Sequence, residues 1–265
     1  MKITLIITTY NWPESLLLVI QSIRNQTIWP NEIIVADDGS RNETKELIHN
    51  INKEFEMNII HSWQQDNGFR AARSRNNAIF KSSGDYIILI DGDVILHPNF
   101  IKDHIDNAEQ GYFIQGFRAL LSKKETKKAL SRKIVNFSFF YPGLKNRKNA
   151  IYSKFLSSIF STKKNHLYGI KSCNMAFYKK DCINVNGFNN DFEGWGREDS
   201  EFVVRLINSG VNRKNVRFNV IQFHLWHNEN PRMSLRQNDA ILEHAIINHS
   251  QWCENGINSI GKNES

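Results

Sequence analysis

Residues 88–94, Ile-Leu-Ile-Asp-Gly-Asp-Val, set two carboxylates one residue apart at the end of an apolar run. In an extended segment Asp91 and Asp93 project from the same side, and Gly92 between them lets a ligand approach the backbone. Hard oxygen donors so arranged suit Mg²⁺ or Mn²⁺ bridging a diphosphate, whereas a plain solvated turn is the competing reading. Asp37-Asp38-Gly39-Ser40 repeats the pattern after the apolar run 33–36. There a carboxylate can accept the N3–H of a uracil or a ribose hydroxyl, while Ser40 reads as the cap of a helix starting near Asn42.

In segment 64–78, QQDNGFRAARSRNNA, Gly68 allows a turn, after which Arg70, Arg73 and Asn77 recur at helical spacing. An arginine on the ligand side of a helix N-terminus makes an anion site; a basic solvated face is the alternative. Arg75 falls off that stripe and is expected in solvent. Farther on, Gly194-Trp195-Gly196-Arg197-Glu198-Asp199 runs into Phe202, Val203 and Leu206. Trp195 offers an apolar platform for a sugar ring, and a carboxylate beside it can take a proton from an acceptor hydroxyl. Asp191 and Glu201 are read as charge that favours a helix N-terminus. His224 and His227, three residues apart, become ligands only if a metal is already needed nearby; otherwise they are core or surface histidines.

These residues need a scaffold, and the first 120 residues supply one. Apolar runs at 3–8, 33–36, 57–61 and 86–90 alternate with helical patterns, the first over 13–25 with Pro13 near its start and Leu16, Leu17, Ile20 and Ile23 in 3-and-4 spacing. Continuous apolar strands joined by helices predict an α/β fold, a mostly parallel central sheet flanked by helices. Ligands of such sheets bind beyond the carboxyl ends of the strands, where each polar cluster falls.

A chain of 265 residues with 40% hydrophobic residues has ample core, which excludes collagen-like, disordered and disulfide-scaffold classes. Its three cysteines are too scattered for a zinc cluster and suggest a reducing compartment. MKITLIITTY reads as a buried strand rather than a signal peptide, and no apolar window nears the roughly 20 residues of a spanning helix. The net charge of +7 is uneven. Residues 1–121 carry 11 Lys+Arg against 15 Asp+Glu, residues 122–164 carry 12 against 1, and residues 165–265 carry 11 against 11. One basic stretch thus holds all the excess, mixed with Phe137, Phe139, Phe140, Phe155, Ile159 and Phe160. It reads either as a solvated insertion packed on the core or as a peripheral contact with an anionic membrane.

The ordered set TTYN (8–11), ADDGS, the NG…R…RNNA run, DGD and GWGRED resembles glycosyltransferase family 2 enzymes of the GT-A fold. The later GFNNDFEGWGRED…HLWH is similar to a segment of β-1,4-galactosyltransferases and bacterial chondroitin polymerase. The resemblance covers about residues 3–118 and 168–230. It implies that Thr8, Tyr10, Asp37 and Asp38 hold the nucleoside, with Arg70, Arg73 and Asn77 around uracil and diphosphate. Asp91 would lie near the donor ribose and sugar, and Asp93 would bind Mn²⁺ or Mg²⁺ with His227 and His224, the latter replacing a Met of the galactosyltransferases. Trp195 would lie beside the sugars, Glu198 would orient the acceptor, and Asp199 would be the base. Arg197 replaces a Gly of that family's Gly-Trp-Gly-Gly.

The expectation is one GT-A domain over 1–265, with a nucleotide-sugar half at 1–121, the basic insertion at 122–164 and an acceptor half at 165–265. It would be an inverting, metal-dependent transferase moving a hexose or N-acetylhexosamine from a UDP-sugar to a glycan or glycolipid hydroxyl in bacterial surface polysaccharide or lipopolysaccharide synthesis. It would be cytoplasmic, or peripheral on the inner membrane face. An inactive sugar-nucleotide binder is the alternative. A nucleic-acid-binding module fits less well, because the basic stretch lies outside the α/β pattern, and no nucleic-acid partner is expected.

Overall fold

The protein is described by a computed structural model covering residues 1–228 and 232–260. Its first four strands, β1 (Ile3–Thr9), β2 (Glu32–Asp37), β3 (Ile59–Trp63) and β4 (Tyr86–Asp91), alternate with helices α1 (Pro13–Arg24), α2 (Asn42–Phe55) and α3 (Ala71–Lys81). The strands pair in parallel in the order β3-β2-β1-β4. Their side chains alternate between two cores. Leu5, Ile7, Val35, Ile88 and Ile90 face α1 and α2, while Ile6, Ile34, Ile87 and Leu89 face the other way. Both faces are covered, which is why these strands read as unbroken apolar runs.

Beyond β4 come β5 (Val94–Leu96), α4 (Phe100–Asn107), β6 (Tyr112–Gln115), β7 (Arg118–Leu121), α5 (Lys123–Arg132), β8 (Leu144–Lys145), α6 (Lys154–Phe160) and β9 (Thr162–Lys163). They are followed by β10 (Asn174–Tyr178), α7 (Lys179–Asn184), α8 (Glu198–Asn208), β11 (Asn212–Asn215), β12 (Gln222–His224) and α9 (Leu235–Ile247). The large sheet continues as β4-β10-β6-β11-β9, with β10 antiparallel to β4 and β6. A second sheet runs β5-β12-β7-β8. The fold is therefore α/β of the GT-A kind, with a mostly parallel central sheet.

The basic stretch does not stand apart from this architecture. One face of α5 packs Ala129 with Phe137 and Leu144 against Ile95, Ala119, Leu121 and Phe223 of the second sheet, forming a third core. Its lysines lie on the outer side because the buried positions of α5, Glu125, Thr126 and Ala129, form one stripe. Helix α6 is the reverse: its one buried residue is Ser157.

Candidate active site

Strand register brings the sequence motifs together. Thr8 pairs with Ala36 on one side and Asp91 on the other, and Thr9 pairs with Asp37. Three strand ends therefore present TTYN, ADDGS and DGD side by side. Asp91 ends β4, but Gly92 and Asp93 form a tight turn rather than the expected extended segment. The turn is pinned by Gly92 N–H donating to Thr8 O at 2.7 Å and by Ser15 Oγ donating to Gly92 O. A Cβ at Gly92 would stand 3.0 Å from Thr9 Oγ1 and 3.1 Å from Thr8 O, so this close approach favours glycine.

The turn also delivers Asp93 to the histidines. Strand β12 lies antiparallel to β5 with His224 opposite Val94, and Leu225 N–H donates to Asp93 O at 2.9 Å. His224 Nε2 and His227 Nε2 stand 3.4 and 3.2 Å from Asp93 Oδ2. Ligand atoms of the three residues all lie within 4.8 Å of one another, and Asp93 Oδ1 is buried without a hydrogen-bond partner among the described residues. One carboxylate and two imidazoles facing a common point, with an orphaned oxygen, fit a divalent cation. Burial pushes Asp93 up, but His224 and the His227 hydrogen bond prevail and hold it below the usual carboxylate range. The bond to Asp93 raises His227 to about 8, and burial lowers His224 to about 4.

The turn between the histidines is braced by the basic stretch. Trp226 N–H donates to Thr126 Oγ1 at 2.8 Å, and the Lys123 ammonium sits 4.5 Å from the Trp226 ring centre. Trp12, before α1, meets His227 edge-on at 6.2 Å.

The opposite wall is the start of α8. Glu198 and Asp199 occupy its first turn, after Gly196 and Arg197 at φ +106° and +78°. Arg197 thus holds a left-handed conformation where the galactosyltransferase pattern has glycine. Its Nε bonds Asp239 of α9 at 2.6 Å. Ser172 N–H donates to Asp199 Oδ2 and Ser200 Oγ to Asp199 Oδ1, both at 3.3 Å. Burial, then the neighbouring Glu198 carboxylate, raise Asp199 to about 7, with Arg75 working against both. Trp195 is 39% exposed, with the Arg232 guanidinium 5.2 Å from its ring centre.

Arg75 joins the two walls, contrary to the sequence expectation that it is solvated. It is 4% exposed, donates to Glu198 Oε1 at 3.0 Å and lies 3.8 Å from Asp91 Oδ1. Burial and the Asp93 charge raise Asp91 to about 6, against the pull of Arg75. A signal for its position was present. Ala72, Asn76 and Ile79 form an inward stripe of α3 that includes Arg75.

The residues expected to hold the nucleoside divide. Asp37 is fully enclosed, bound by His61 Nε2 at 2.8 Å and by Ser40 N–H at 2.7 Å. Asp38 accepts from Arg70 N–H at 2.7 Å and Gln64 Nε2 at 2.6 Å, and burial raises it to about 6. Ser40 is no helix cap: its hydroxyl accepts from Asn11 N–H, and α2 starts after Arg41 without a side-chain cap. Thr8 Oγ1 is buried at the strand end without a partner among the described residues, and the exposed Tyr10 donates its hydroxyl to Asp66 at 3.0 Å. Arg70 directs its guanidinium to Gln65 O, Asn77 bonds Gln64, and Arg73 lies half-buried on α3. Glu201 lies in the first turn of α8, as expected of a charge that favours a helix N-terminus. It is also 2% exposed and forked onto the fully buried Arg205 at 2.7 Å through each oxygen. Asp191 accepts from Asn255.

Comparison with known proteins shows the family and the fold. The chain is 27% identical over 228 residues to the hyaluronan synthase of Pasteurella multocida, covering 78% of this chain and 23% of that one. It is 26% identical over 243 residues to the chondroitin synthase of Escherichia coli, covering 78% and 32%. It is 28% identical over 177 residues to the GalNAc(5)-diNAcBac-PP-undecaprenol beta-1,3-glucosyltransferase of Campylobacter jejuni, covering 67% and 56%. The chain thus spans between a quarter and just over half of the length of these relatives. Staphylococcus aureus TarS 1–349 in complex with UDP shares the fold at a TM-score of 0.64 and 14% identity, covering 94% of this chain and 66% of that one. Residues 154–228 match the family described as the N-terminal domain of galactosyltransferase. Residues 4–183, well over half of the chain, match glycosyl transferase family 2, and the protein belongs to that family.

Proposed function

We propose that the protein is an inverting, metal-dependent glycosyltransferase that moves a hexose or N-acetylhexosamine from a UDP-sugar to a hydroxyl of a glycan or glycolipid in bacterial surface polysaccharide or lipopolysaccharide synthesis. The carrying observation is Arg75, which lies 3.8 Å from Asp91 at the DGD turn and donates to Glu198 beside Asp199, so that the groups read as donor side and acceptor side are neighbours. Polysaccharide synthases and an undecaprenol-linked glucosyltransferase among the relatives, and UDP in the TarS complex, support the substrate class. A glycolipid acceptor would bring the enzyme to the cytoplasmic face of a membrane. No described helix is long and apolar enough to cross one.

Asp93, His224 and His227 would hold the metal, and two imidazoles favour Mn²⁺ over the oxygen-seeking Mg²⁺. When bound, the ion neutralises charge that develops on the departing diphosphate. The chain's own groups do the rest. Asp38, Thr8 and Tyr10 line the nucleoside end, Arg70, Arg73 and Asn77 lie toward the uracil and diphosphate, and Asp91 lies by the ribose and sugar. Trp195 stacks on the sugar ring, and Glu198 orients the acceptor. Asp199 Oδ takes the proton of the attacking hydroxyl, and its raised pKa makes it a better base near neutral pH than an ordinary carboxylate. Attack opposite the nucleotide turns an α-linked donor into a β-glycoside.

A UDP-sugar panel assayed for hydrolysis and transfer with and without Mn²⁺, followed by NMR of the product's anomeric proton, tests the reading. Metal-dependent turnover of a UDP-sugar with a β-linked product is expected. No turnover of any UDP-sugar, or an α-linked product, overturns it.

A further inference from the structure

We propose that helix α6 and its surroundings form a docking surface for an anionic lipid bilayer. Helix α6 carries its apolar residues outward. Phe155 is 73% exposed and Ile159 55%, whereas Ser157, about 200° around the helix from each, is the residue turned inward. Phe160, half-exposed, extends the patch onto Phe218 at 5.7 Å between ring centres. A helix that packs only against its own protein shows the opposite pattern.

The charges around the patch select its partner. Asp106 receives Lys102 at 2.8 Å and Lys154 at 3.4 Å, and Glu109 receives Lys163 at 2.6 Å and Lys214 at 3.5 Å. Lys164 follows β9 in solvent, and the exposed Arg217 is tied to the end of α6 by its N–H to Ser161 Oγ. Six cations thus stand against three carboxylates, Asp106, Glu109 and the buried Asp103, beside protruding aromatic and aliphatic side chains. Large apolar groups flanked by surplus Lys and Arg match a headgroup boundary of anionic lipids. Two copies of the chain meeting on this face would oppose like charge, which disfavours a self-association surface.

The site is narrower than the basic stretch as a whole, because α5 and Phe137 are occupied in the third core. It rests on the glycolipid reading only for its biological use, so UDP binding is measured on the same samples. The experiment is co-sedimentation of the full chain with phosphatidylglycerol/phosphatidylcholine vesicles and with pure phosphatidylcholine vesicles at low and high salt. Binding is expected on the anionic vesicles, weakening as salt rises, because attraction between exposed charges is screened within about 10 Å at 0.1 M. Phe155→Ser/Ile159→Ser should lower the partition coefficient about tenfold or more. Lys164→Glu/Arg217→Glu should remove the preference for anionic vesicles. Both variants alter exposed positions and should keep the wild-type affinity for UDP. No binding to anionic vesicles at low salt overturns the proposal. So does binding indifferent to both variants, or a dimer in sedimentation that Phe155→Ser/Ile159→Ser dissolves.

Discussion

Replacing Arg75 by Met tests whether the buried guanidinium sets the protonation of the base. Met keeps much of the stem volume and removes the charge between Asp91, Glu198 and Asp199. In the native protein Asp199 sits at about 7 with Arg75 lowering it, so about half of the base is ionised at pH 7. An opposite charge at such range typically depresses a carboxylate by 1–3 units, and its loss should raise Asp199 by roughly one unit or more. The ionised fraction at pH 7 then falls to about one tenth, roughly a fivefold loss of rate from protonation alone. In the proposed role Asp199 works deprotonated, so the acidic limb of the rate profile should move to higher pH and much of the loss should return near pH 9. Arg75→Lys keeps the charge but not the fork that reaches both Glu198 and Asp91, so its limb should shift less. The assay is the pH dependence of kcat/KM for transfer, with UDP affinity measured at each pH. An unshifted limb in Arg75→Met, or a loss that alkaline pH does not recover, refutes the reasoning.

Asp93→Ala should abolish metal-dependent UDP-sugar binding by calorimetry, since the orphaned Asp93 oxygen has no neighbour to replace it. His227→Ala and His224→Ala should each raise the Mn²⁺ concentration that half-saturates binding; equal, negligible effects would return both histidines to a structural role. Asp199→Asn should keep donor binding and lose more than about a hundredfold in transfer, the usual scale for removal of a general base. The same variant should melt above the wild type at pH 8, with the gap closing toward pH 4. A carboxyl raised from 3.8 to about 7 binds more protons folded than unfolded, so wild-type stability falls as pH rises through that window. Arg205→Met should destabilise the fold by about 3–5 kcal/mol in urea titration, because it strands the buried Glu201 without its partner.

The first half of the fold was legible because β1 to β4 are buried on both faces and their polar sequels fall at strand ends. The phase of α3 was not. Arg70, Arg73 and Asn77 share one helical spacing and Arg75 and Asn76 belong to another, and the spacing of polar residues alone does not show which side faces the core. The inward stripe of Ala72, Asn76 and Ile79 decides it. Strand β10 was hidden for a different reason: a short run such as Met175 to Tyr178, with apolar side chains on both faces, looks alike whether the pairing is parallel or antiparallel. In residues 122–164 charge density masked a core, because exposed lysines dominate the composition while Ala129, Phe137 and Leu144 do the packing. Glu201 was rightly placed at a helix start, but its burial with Arg205 was not legible, because the two lie on a side of α8 that only tertiary packing buries.

The ladder between β5 and β12 has a consequence for how the site is made. Asp93 and the two histidines lie nearly half the chain apart in sequence, yet one strand pairing and one hydrogen bond from Leu225 bring them together. Contacts between such distant segments close large loops and tend to form late in folding. The cluster of Asp93, His224 and His227 therefore cannot be assembled by an N-terminal fragment or by a partly folded chain. On the metal role proposed for it, uptake of Mn²⁺ should appear with the last kinetic phase of refolding, and occupancy would read out a completed molecule.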